Sequence, residues 1–167
     1  MVDLNKIKSL AVKPTSDIRA YDFYARGRDL IARRAKKHIG AGIKMFEHAI
    51  AIDPYFALAY VGLAEAYSYQ YWWCDGDQKW LGKVIEMNEK ALKIDPNLID
   101  AQFGIGMVYF HQKQFVKAIE SFQKVVRERN EFYPAYRWAG VSYEILNKFD
   151  EVKAQYKKIA ELKPYSE

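Results

Sequence analysis

AIESFQKVVRERN (118–130) and VKAQYKKIAELKP (152–164) stand 34 residues apart and share one pattern of apolar and polar positions. Working outward, VIEMNEKALKIDP (84–96) lies another 34 residues upstream, and GIKMFEHAIAIDP (42–54) lies 42 before that. The four runs close on Pro54, Pro96, Asn130 and Pro164. A period of about 34 residues is the signature of stacked helix–turn–helix units. Apolar residues agree with it, recurring at helical rather than alternating spacing. Phe103, Met107 and Phe110 define one stripe and Ile105 and Tyr109 another, before Ala118, Phe122 and Val125 mark the next helix. Proline ends helices because it lacks the backbone N–H and disfavours α geometry in the residue before it. Asn147 suits a left-handed helix-ending position, since its short side chain tolerates positive φ.

This pattern predicts an all-α, right-handed solenoid of four helix–turn–helix units, about 17–54, 55–96, 97–132 and 133–164. The repeat domain spans 17–167, behind an N-terminal segment 1–16 in which Val2, Leu4, Ile7 and Leu10 suggest a short capping helix. The second unit carries eight extra residues within 68–83, read as two helices each lengthened by about a turn, meeting at Asp75-Gly76, with Asp77 as N-cap of the second. The first unit carries about three extra residues around Arg34–His38.

Half of the chain is hydrophobic, which excludes a disordered polymer, and no apolar run approaches the roughly 18–20 residues needed to span a bilayer. The opening MVDLNKIKSLAVKP lacks a basic leader and a long apolar core, so it does not read as a secretory signal. A lone cysteine, Cys74, makes no internal disulfide. Together these predict a cytoplasmic protein. Net charge is +5, gathered early in Arg19, Arg26, Arg28, Arg33, Arg34, Lys36 and Lys37.

The residues resemble the tetratricopeptide repeat (TPR), whose pattern is an aromatic, Leu-Gly and Tyr on the first helix, then Ala, an aromatic and Pro on the second. Ile105-Gly106, Tyr109, Ala118 and Phe122 match in the third unit; Tyr136, Gly140, Tyr143, Tyr156 and Pro164 match in the fourth. Tyr60, Leu63-Ala64, Tyr67, Ala91 and Pro96 match in the second, and Gly27, Phe46, Ala49 and Pro54 in the first. Departures are Lys113 for the usual turn glycine, Asn88 for the second-helix aromatic, Gln102 for the leading aromatic and Asn130 for the closing proline. AYDFYARGRDLIARR (20–34) and AIAIDPYFALAYVGLAEAYS (49–68) are also similar to the repeat regions of bacterial nucleotide cyclases, kinases and winged-helix regulators. The resemblance implies a non-catalytic scaffold for protein or peptide partners, with no cofactor and no metal.

Such units form a superhelix with a concave face lined by first helices. Residues at i, i+3, i+4 and i+7 share a helix face, which places on it Tyr21, Tyr24 and Arg28, then Val61, Glu65 and Tyr69. Phe103, Met107, Phe110 and His111 follow from the third unit, and Arg137, Val141 and Glu144 from the fourth. Phe103, Met107 and Phe110 are the expected hot spots, because central rings dominate interface energy. The terminal-carboxylate clamp of some TPR domains finds Tyr24, Arg28, Gly62, Asp100 and Gly104 at its positions, of which only Arg28 is basic. Trp72, Trp73 and Trp80 of the insertion either staple the long hairpin or contact a partner. Self-assembly through that insertion, or through an uncapped last unit, is the alternative function. A basic nucleic-acid surface along Arg19–Lys37 ranks behind both. His38, His48 and His111 are widely spaced and lack the pairing of a metal site. No phosphate loop, nucleophile elbow or triad spacing points to catalysis.

Overall fold

In the computed structural model, residues 15–162 are described, and within them the chain is helical with no strand. The N-terminal helix expected over 2–10 and the closing Pro164 lie outside the described residues. The helices are α1 (Ile18–Ala32), α2 (Lys36–Ile52), α3 (Ala57–Gln70), α4 (Lys79–Ile94), α5 (Ile99–His111), α6 (Phe115–Glu128), α7 (Tyr133–Ile145) and α8 (Phe149–Leu162). They pack as antiparallel hairpins α1/α2, α3/α4, α5/α6 and α7/α8. Each hairpin leans on the next through α2–α3, α4–α5 and α6–α7, and the first helices touch as α1–α3 and α3–α5. This is the predicted all-α solenoid.

The sequence period is visible in the turns. After α2, the Asp53 carboxylate accepts from the Tyr55 N–H at 3.0 Å; after α4, Asp95 accepts from Asn97 at 3.0 Å. Backbone bonds Phe56 N–H to Asp53 O (3.1 Å), Leu98 to Asp95 (3.3 Å) and Phe132 to Arg129 (3.1 Å) close all three junctions alike. Asn130 in place of proline therefore keeps the backbone bond of the turn, while Arg129 stands where the other two turns have the capping Asp. Within hairpins the left-handed residue is Arg34 (φ 47°), Lys113 (φ 60°) or Asn147 (φ 57°). Asn147 does what its side chain suggested, whereas Lys113 takes the same conformation against the Cβ clash that a glycine avoids.

One ring from each of the second helices α2 and α6 wedges against small residues of the first helices. Phe46 of α2 is fully buried against Gly27 of α1 and Gly62 of α3, where an added Cβ would lie 2.8 Å and 2.5 Å from the ring. Phe122 of α6 is fully buried against Gly106 of α5, with the corresponding distance 2.6 Å. Burying such a ring contributes about 1.5–3 kcal/mol. Ala118 and Val125, read as the buried face of α6, are 0 % and 1 % exposed. The second hairpin departs from expectation. Instead of an extra α-turn, α3 runs into a π-helical turn, Tyr71–Asp75, ended by Gly76 at φ 66°. The Asp75 carboxylate draws this turn together, accepting from Trp80 Nε1 at 2.8 Å, Gln70 Nε2 at 3.3 Å and the Asp77 N–H at 3.0 Å. Asp77 accepts from the Lys79 N–H at 2.9 Å, so its capping carboxylate sits one residue further from the helix start than expected.

Candidate functional site

The inner face carries a groove of about 550 Å³ spanning the first three hairpins. Its walls are Arg28 of α1, then Val61, Glu65 and Tyr69 of α3, and Phe103, Met107 and His111 of α5; Trp72 of the π-helical turn closes one end. Its floor is unexpected: Leu81, Val84 and Asn88 reach it from the second helix α4, through the gap between α3 and α5.

A polar chain crosses one wall. Arg28 Nη1 lies 2.5 Å from Glu65 Oε2, and Tyr69 donates its hydroxyl to Glu65 Oε1 at 2.9 Å. Tyr69 in turn stacks on Trp73, centroids 4.5 Å apart and 9° from parallel. The ion pair is half-exposed and adds at most about 1 kcal/mol; its effect is to orient Glu65. Trp72 meets His111 edge-on at 4.4 Å, tying the insertion to the third hairpin. Burial on that side lowers the His111 pKa below the ordinary imidazole value. Burial also raises Tyr69, helped by the adjacent Glu65 carboxylate.

Of the expected strip, Tyr21, Tyr24, Phe110, Arg137, Val141 and Glu144 do not line the groove. Tyr24 turns inward against Phe56 (5.0 Å) and Phe46 (6.0 Å), and Tyr21 packs beside it at 6.2 Å. Phe110 sits between Phe115 (5.6 Å) and Trp138 (4.9 Å). The sixth residue of α3 is Gly62 and of α5 is Gly104, but that of α7 is Trp138. Its indole packs on Phe110, and Arg137, Val141 and Glu144 of the same helix stand outside the groove lining. Phe103 lines the groove yet also packs on Phe122 (5.5 Å) and Phe132 (5.3 Å), so its ring serves structure as well.

In the insertion, Trp80 stacks on Tyr67 at 5.4 Å, and Lys83 lies over both rings at 4.9 and 5.0 Å. Burial, with the Glu47 carboxylate second, pushes Tyr67 up to about 12. Trp80 therefore staples the hairpin, while Trp72 and Trp73 remain 48 % and 41 % exposed. Four cations of the early basic cluster are paired, Arg19, Arg26, Arg28 and Arg33 with Asp17, Asp22, Glu65 and Asp29, and Lys36 keeps its charge while donating to the Cys74 carbonyl. Among the described residues, no group of three or more His, Cys, Asp or Glu side chains could hold a metal ion, and no helix is long and apolar enough to cross a membrane.

The family model of the tetratricopeptide repeat matches residues 99–132, the third hairpin and its closing turn. The repeat is recognised in that one unit, and the fold of the whole described region is that of solved TPR solenoids. It is similar to TTC0263, a thermophilic TPR protein of Thermus thermophilus, at 18% identity and TM-score 0.73 over 98% of this chain and 80% of that one. It is also similar to MamA, at 22% identity and TM-score 0.72 over 93% of this chain and 83% of that one. MamA 41-end from Desulfovibrio magneticus RS-1 superposes with TM-score 0.73 at 17% identity, covering 90% and 78%. No curated protein sequence matches the chain.

Proposed function

We propose that this chain is a non-catalytic protein-interaction scaffold that holds a peptide segment of a partner in the groove between its first three hairpins. The observation that carries this reading is the groove itself, an inner face that the chain's own side chains leave open across α1, α3 and α5. Its chemistry suits a peptide. Val61, Phe103 and Met107 offer apolar contact, and Glu65, Asp100 and His111 offer polar partners between them. The lone cysteine, Cys74, fits a reducing compartment such as the cytoplasm.

Peptide selection from a random displayed library tests the proposal. Sequences enriched on the wild-type chain are expected to bind Val61→Asp and Met107→Glu at least about tenfold more weakly, with helical content unchanged, as central interface positions do. Equal binding by both folded variants refutes the groove as the site. Self-assembly is the second reading, favoured by Ile145, Phe149 and Tyr156, which are 47 %, 59 % and 43 % exposed on the last hairpin. Sedimentation of the wild type against Phe149→Lys distinguishes it.

A further inference from the structure

Asn88 stands in α4 where the flanking second helices carry a ring. Phe46 packs against glycines of two first helices and Phe122 against Gly106 of one, and both rings are fully buried. Asn88 occupies the corresponding position, against Gly104: a Cβ added to that glycine would lie 2.8 Å from the Asn88 amide nitrogen. An amide is smaller than a phenyl ring, and here Asn88 lines the groove together with Ala64 of α3 and Gly104 of α5. Asn88 is only 3 % exposed, yet its side chain has no hydrogen-bond partner among the described residues. None of the side-chain polar atoms there is sealed from solvent without a partner, so this amide opens onto the cavity. With no protein partner, both its donor and its acceptor face the cavity and are available to a ligand.

The rim adds a charge preference. Glu65 is balanced by Arg28, whereas the Asp100 carboxylate, also lining the groove, has no ion-pair partner among the described residues. Arg34 acts on Tyr69 at the far end of the groove, so the unbalanced negative charge is local to Asp100 at the start of α5.

The geometry points to a socket for one tyrosine side chain of a basic partner peptide, its hydroxyl entering first to bond the Asn88 amide and its ring lying in the groove between Val61, Phe103 and Met107. The apolar walls Val61, Phe103 and Met107 take the ring, and the slot that Phe46 and Phe122 fill in the adjoining junctions takes only its hydroxyl end. The hydroxyl supplies the partner that Asn88 lacks, and a flanking lysine or arginine answers Asp100. This socket rests on the groove reading but is narrower than it.

Its test is a ¹H–¹⁵N NMR titration with four probes, Ac-Lys-Tyr-Lys-NH₂, its Phe and Ala analogues, and Ac-Glu-Tyr-Glu-NH₂. The Lys-Tyr-Lys peptide is expected to shift the Asn88 side-chain amide signals together with the Gly104 and Val108 backbone amides. Removing the hydroxyl weakens it by about threefold to tenfold, the worth of one hydrogen bond. Removing the ring weakens it by more than about tenfold, and the acidic analogue binds more weakly than the basic one. Asn88→Phe fills the slot from within and is expected to abolish the tyrosine preference; Asn88→Leu is the second variant should the larger ring not be accommodated. Asn88 signals that stay still in the wild type, or equal affinity for the Tyr and Ala peptides, overturn the socket. A library-selected peptide lost by Met107→Glu but retained by a folded Asn88→Phe chain removes the socket and leaves the groove reading standing. A peptide retained by both removes the two together.

Discussion

The same substitution should act with opposite sign at two glycines, and the difference isolates the packing that stacks the hairpins. Gly82 lies in α4 with nothing within 4 Å of an added Cβ. Gly82→Ala should therefore stabilise by about 1 kcal/mol, the helix-propensity gap between the two residues. Gly106 lies in α5, where an added Cβ would meet Phe122 Cε1 at 2.6 Å and Ser121 Cβ at 3.1 Å. Phe122 is fully buried, so its ring has nowhere to retreat. Gly106→Ala gains the same propensity but is overpacked at a cost of about 1–3 kcal/mol. Subtracting one variant from the other cancels propensity and leaves the packing cost. In thermal unfolding followed by far-UV circular dichroism, each kcal/mol moves the midpoint of a chain this size by about 2–4 °C. The expected order is Gly82→Ala above wild type and Gly106→Ala at or below it. Equal midpoints for the two alanine variants would show that Gly106 is not a close-approach site, and the wedge description of the hairpin junctions would fall with it.

Further outcomes follow from single residues. Lys113→Gly should raise stability by up to about 1 kcal/mol in urea unfolding, because the turn at φ 60° no longer strains a Cβ. Phe122→Ala, which empties a fully buried wedge, should cost about 3–5 kcal/mol. Folded His111 holds its proton less tightly than unfolded His111, so stability should fall as pH drops through the ordinary imidazole pKa of 6.5; the loss is small, since one ring edge stays in water, and His111→Gln should remove it. Tyr67 stays protonated to about 12 in the fold, while the unfolded phenol ionises near 10. Stability should therefore decline between those values, and absorbance at high pH should show Tyr67→Phe removing one late-titrating tyrosine.

The period of the closing runs carried the hairpins, because each unit must bury the same face against its neighbour. The residues it marked for the second helix of the third unit, Ala118, Phe122 and Val125, are the buried ones. The groove was legible only in part. Arg28, Val61, Glu65, Tyr69, Phe103, Met107 and His111 line it as their helical register requires. Phe110 shares that register but turns toward Trp138, a large residue where the two preceding first helices have glycine. The period identifies the position, and side-chain volume across the junction decides whether it stays open. Asn88 was visible as a departure from the pattern, but its consequence depends on Gly104, contributed by the next hairpin. The π-helical turn was hidden because its cause is the Asp75 carboxylate binding three groups at once, a tertiary arrangement without a periodic trace.

Photo-cross-linking from the groove tests the central claim most directly. Benzoylphenylalanine at Met107, on the groove wall, should capture a library-selected peptide, while the same group at Val116, 59 % exposed and off the groove, should not. Capture from Val116 with none from Met107 would contradict the account.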